Sequence, residues 1–169
     1  MHQYRITKYN PIYRDNNGFF KHDEWTSVTD TNIFNKSSSI TFNDYMVIEN
    51  DYINVVKHIM SINGTDRLEV KLKEHRANRL NYPDCDENKI VSFLTETKWD
   101  QPIYGDDIEF LVKLCLREEV WCKLENTYMF AHFGYDYYMY VGSARELKSG
   151  EIKIIAPNLF QEDMSSPYR

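Results

Sequence analysis

Three alternating runs follow one another near the C-terminal end of the chain: EVWCKLE (119–125), TYMFAHF (127–133) and YDYYMYVG (135–142). Each is separated from the next by one residue, first Asn126 and then Gly134. Period-2 alternation marks strands whose successive side chains face opposite ways. Links this short join antiparallel neighbours, because a parallel pair needs a crossover of about a dozen residues or more. A three-strand antiparallel meander is therefore expected, and the rest of the chain must pack on or beside it.

Upstream, YRITKYN (4–10) reads as a first strand, closed by Pro11, which cannot donate to a ladder. Asn17-Gly18 is a turn signal. Residues 26–39 are expected to form an ordered polar loop, with a short strand near Ile33. The clearest helix starts at Thr41, which has capping-box spacing with Asp44, while Ile40 and Tyr45 are placed for a hydrophobic staple. Tyr45, Ile48, Tyr52, Val55, Val56 and Ile59 recur at helical spacing, and Gly64 supplies the stop. RLEVKLKE (67–74) alternates Leu68, Val70 and Leu72 against charged residues, as a half-buried strand does. Asp84 or Asp86 is placed to cap a helix through residues 87–99. Asp106 and Glu109 have cap spacing for a third helix, lined on one face by Ile108, Leu111, Val112 and Cys115. EIKII (151–155) reads as a last strand.

Helices and strands mix without a βαβ rhythm, so the expected class is α+β. Its largely antiparallel sheet comprises the C-terminal meander plus the N-terminal strand, packed with about three helices. The 169 residues are expected to form a single globular domain spanning 1–169. A chain of this size buries roughly 70 % of its unfolded surface, so its core requires neither metal nor disulfide.

The net charge of −6, from 26 acidic and 20 basic residues, argues against nucleic acid as a partner. The basic run RLEVKLKEHRANR (67–79), with Arg67, Lys71, Lys73, Arg76 and Arg79, reads as a solvated strand edge. MHQYRITKYNP has no apolar leader and no 18-residue apolar run occurs, so no membrane association is expected. Cys85, Cys115 and Cys122 are an odd number without framework spacing, which suits a reducing cytoplasm. No phosphate-binding loop, nucleophile elbow or zinc-protease motif is present. His22-Asp23-Glu24 reads as a solvated loop, so neither metal nor cofactor is expected.

Aromatic residues form 15 % of the chain and concentrate in HFGYDYYMYVGS (132–143). On a strand, Tyr135, Tyr137, Met139 and Val141 would face one way and Asp136, Tyr138 and Tyr140 the other, with His132 across a bend. Such a group can be a structural hydrogen-bond network, a binding face, or an acid/base pair if His132 and Asp136 converge with Glu119 nearby. Arg117 is placed for a bidentate carboxylate pair. Cys122 reads as a core thiol. Trp25, in DEWTSVTD (23–30), is a candidate anchor.

YRITKYNP (4–11), HDEWTSVTD (22–30) and LREEVWCKLE (116–125) leading into HFGYDYYMY (132–140) resemble a group of small uncharacterised cytosolic proteins of Gram-positive bacteria. Their general character is similar to that of immunity proteins that neutralise secreted toxins. That likeness of character, with the net negative charge, the surplus of Tyr and Trp and the absence of a catalytic signature, gives the leading expectation: a non-enzymatic, cytoplasmic binding protein that antagonises a basic toxin or nuclease. On this expectation Trp25, Asp136, Tyr138 and Tyr140 contact the partner. Two alternatives stand beside it: a small enzyme or small-molecule binder using His132, Asp136 and Glu119, and a structural subunit of a homo-oligomer whose aromatic strand extends the sheet.

Overall fold

The computed structural model describes residues 1–75, 81–148 and 150–168. Its strands are β1 (His2–Thr7), β2 (Arg67–His75), β3 (Pro102–Tyr104), β4 (Val120–Glu125), β5 (Met129–Phe133), β6 (Met139–Ser143) and β7 (Phe160–Asp163). The helices are α1 (Phe42–Asn63), α2 (Glu87–Glu96), α3 (Gly105–Leu116) and α4 (Glu151–Ile155). One seven-stranded sheet runs in the order β3-β2-β4-β5-β6-β1-β7, with each neighbouring pair antiparallel. The architecture is α+β, with the expected meander β4-β5-β6 at its centre and the N-terminal strand hydrogen-bonded to β6.

Alternation fixes the two sheet faces. Tyr4 and Ile6, Leu68 and Val70, Cys122 and Leu124, Ala131 and Phe133, and Met139 and Val141 are buried in one core. The apolar stripe of α1 and the Ile108, Leu111, Val112 and Cys115 face of α3 close that core from above. The Thr41–Asp44 capping box and the left-handed Gly64 cap bound α1 where the sequence places them. The opposite face carries Arg5, Trp121, Lys123, His132 and Tyr140, and the terminal segment 164–168 crosses it. Gly142 is required there, because a Cβ would stand 2.1 Å from Cε1 of Phe130.

Several local expectations give way to tertiary chemistry. A bulge between Lys71 and Glu74 puts two residues of β2 opposite one of β4, so the alternation breaks. Leu72 takes a positive φ of 49° and is exposed, rather than buried with Leu68 and Val70. Lys73 instead reaches the carbonyls of Leu94 and Thr97, where its charge suits the C-terminal end of α2. No strand forms near Ile33; Val28–Asp30 is a 3-10 turn with its own capping box on Ser27. Asp86 caps α2, whereas α3 starts at Gly105 behind Tyr104, which gives no side-chain cap, so the Asp106–Glu109 spacing is not used. Residues 151–155 are a helix, and the last strand lies at 160–163. Short apolar runs such as EIKII fit either period, and here burial of Ile152 beside α1 decides. Arg76 and Arg79 of the basic run lie outside the described residues.

Candidate functional site

The aromatic stretch is not one strand. After β5 ends at Phe133, residues 135–138 make a tight turn closed by Tyr138 N–H donating to the Tyr135 carbonyl at 3.1 Å. Asp136 (φ 55°) and Tyr137 (φ 61°) are both left-handed, the pattern of a type I′ hairpin turn. The expected alternation therefore fails over 135–138: Tyr135 and Asp136 are exposed, Tyr137 is buried and Tyr138 is half-buried. Packing holds the turn. The ring of Tyr137 meets Trp25 at 5.0 Å, and its carbonyl accepts the hydroxyl of Tyr52.

The turn abuts the loop that follows β1. Lys8, its side chain 3 % exposed, pairs with Glu24 at 2.7 Å and lies 4.3 Å from the Tyr9 ring and 4.2 Å from Trp25. Burial pulls the ammonium below its ordinary pKa, against the opposing pull of Glu24, Asp30 and Asp136. Trp25 is thus half-buried and wedged between Lys8, Tyr45 and Tyr137, rather than projecting freely. Beyond it, Tyr13 and Phe20 pack against His22. Ile12 is 74 % and Phe19 70 % exposed. A cleft of about 730 Å³ opens beside Trp25, lined by Asp23, Glu24, Asp30, Ser39 and Ile40 among others.

His132, Asp136 and Glu119 do not form one site. Buried His132 lies on the sheet face away from α1, with Nε2 2.7 Å from Glu125 Oε1 and Nδ1 2.8 Å from Ser166 Oγ. Glu119 lies on the helix side and accepts from the Tyr82 hydroxyl at 2.8 Å. Asp136 is at the exposed turn. The Glu125–His132–Ser166 row resembles a hydrolase relay, but Ser166 is only 8 % exposed. Its Oγ also accepts from Tyr168 N–H. It anchors the terminal segment, together with Lys123 donating to the Tyr168 carbonyl and Trp121 and Tyr140 flanking the Tyr168 ring. Tyr140 is therefore partly covered by that segment and separate from Trp25. Tyr138 sits between the two regions, its hydroxyl 3.0 Å from Arg14 Nη1.

Arg117 makes the expected bidentate pair, and a second one. Fully buried, it forks onto Glu49 at 2.7 and 2.9 Å and onto Asp84 at 2.8 and 2.9 Å, over the ring of Tyr82. Burial opposes the charge, but the carboxylates prevail and raise its pKa. The cluster ties α1, α3 and residue 84 together, a structural role. Cys122 and Cys115 are buried, with sulfurs 3.4 Å apart, and burial pushes the Cys115 thiol up. Neither has the exposure of a nucleophile.

Among the described residues no three His, Cys, Asp or Glu side chains are grouped to hold a metal ion. No described helix is long and apolar enough to cross a membrane. No family model, curated protein or solved structure matches this chain.

Proposed function

We propose that this chain is a non-enzymatic protein-binding domain, an immunity-type antagonist of a basic toxin or nuclease acting in the cytoplasm. The observation that carries this reading is that the loop after β1 presents exposed apolar side chains and then runs into an acidic cleft. Ile12 and Phe19 project from the loop after β1, and the same loop continues through His22 into Asp23, Glu24 and Trp25. Asp136, on the adjoining turn and close enough to act on Lys8, extends the face. Isolated exposed apolar residues are ordinary, but a cluster rimmed by charge marks an interaction surface. Carboxylates would steer a basic partner, while Phe19, Ile12 and the Trp25 wall supply desolvated contact.

The catalytic alternative has less support, because His132, Asp136 and Glu119 take separate partners. An oligomer built by extending the aromatic strand is also disfavoured. β6 is hydrogen-bonded to β5 and to β1, which leaves no free edge. Partner capture by the wild-type chain and by a Phe19→Ser/Asp23→Lys variant tests the proposal. A partner retained by the first and lost by the second, at unchanged melting temperature, is the expected result.

A further inference from the structure

Independently of that reading, we propose that Arg5, Arg14 and Tyr9 form an anion site for a phosphate monoester, in which Glu162 is the resident stand-in. Both arginine side chains are largely buried, Arg5 being 11 % and Arg14 7 % exposed. Both lie against the Tyr138 ring, at 5.3 and 5.4 Å. Arg5 forks onto Glu162 through Nε at 3.0 Å and Nη2 at 2.8 Å, and so occupies both carboxylate oxygens. Arg14 is left short. Its Nη1 donates to the Gly18 carbonyl and the Tyr138 hydroxyl. Its Nε stands 3.4 Å from Glu162, an ion-pair distance only. Nε and Nη2 of Arg14 and the hydroxyl of Tyr9 are buried without a hydrogen-bond partner. The Tyr9 ring is 5.4 Å from that of Tyr138, and its hydroxyl lies within electrostatic reach of Arg14, so Tyr9 borders the ring that both guanidinium groups lie against.

Buried N–H and O–H groups are rarely left unpaired, because each forfeits its hydration. Here two guanidinium groups face one carboxylate, with three donors to spare. A phosphate monoester brings two negative charges and three non-bridging oxygens, enough to engage both arginine forks and the Tyr9 hydroxyl. Two cations are too few for a nucleic-acid track, which needs an extended array. Entry requires only that Glu162 swing outward. It sits on β7, an edge strand, and is already 19 % exposed at its side chain.

Isothermal titration of the full-length chain tests this with inorganic phosphate, phenyl phosphate and a phosphotyrosine peptide. All three should bind wild type in competition with one another. Glu162→Gln removes the competing charge and should tighten them roughly tenfold, while Arg14→Gln should weaken them by a similar factor. A peptide favoured roughly tenfold over phenyl phosphate would assign the site to phosphorylated side chains, and parity would assign it to small phosphate monoesters. Absence of binding by folded wild type and folded Glu162→Gln would overturn the proposal, leaving the orphan donors to water. So would binding that survives Arg14→Gln unchanged.

Discussion

Replacing Arg117 with methionine should destabilise the fold by about 4 kcal/mol, the range for removing one member of a buried ion pair. The cost arises on Glu49. That carboxylate has a side chain 1 % exposed and receives two hydrogen bonds from Arg117. Without them its nearest cation among the described residues is Lys113, at 3.8 Å. Asp84 suffers less, since it keeps Lys113 at 3.1 Å and has some exposure. Methionine fills the stem volume of arginine, so the loss is electrostatic rather than a cavity. In urea, with a slope of about 2 kcal/mol/M, the midpoint at neutral pH should fall by about 2 M. Adding Glu49→Gln to Arg117→Met removes the stranded charge and should recover about half of the loss. A single-variant loss below about 1 kcal/mol, or a double variant no better than the single, would refute a buried pair with Glu49 as the stranded partner.

Two further outcomes follow from the packing and electrostatics. Burial disfavours the ionised Asp84 carboxyl, but its pairs with Arg117 and Lys113 win and hold it at about 2, below the ordinary 3.8. A depressed folded-state value stabilises above the unfolded pKa, so about 2 kcal/mol should be lost between roughly pH 4 and pH 2. Urea midpoints across that range should show the loss in wild type and not in Asp84→Asn. Gly142→Ala should cost about 1–3 kcal/mol by thermal unfolding, since the new methyl collides with the buried ring of Phe130, and Phe130→Leu should relieve part of it.

What the sequence reveals of this fold is what local chemistry determines. Thr41, Asp44 and Gly64 bound α1 through contacts within a few residues, and the short links at 126–128 and 134–138 leave the meander no alternative to antiparallel pairing. The turn at 135–138 is illegible because an Asp-Tyr pair, not Asn-Gly, occupies its left-handed positions. Tyr137 accepts that conformation through packing on Trp25 and Tyr52, which lie far away in sequence. The bulge that turns Leu72 outward is likewise set by the β4 register. The candidate sites depend still more on remote partners. Arg14 meets Tyr138 across 124 residues and Arg5 meets Glu162 across 157, and neither pairing leaves a local signal. Arg117 was legible as a bidentate residue, but not its two carboxylates.

On the proposed reading, the Phe19–Asp23 face captures a basic protein. The most direct measurement is quantitative capture on immobilised full-length chain, from host and rival-strain lysates, at low and high salt. Wild type and Tyr128→Ala, at the opposite end of β5, should retain one basic protein stoichiometrically and release it at high salt. Phe19→Ser/Asp23→Lys should retain none of it while melting at the same temperature. Equal retention by the face variant, or a captured protein that is acidic and indifferent to salt, would rule out capture of a basic partner by this face.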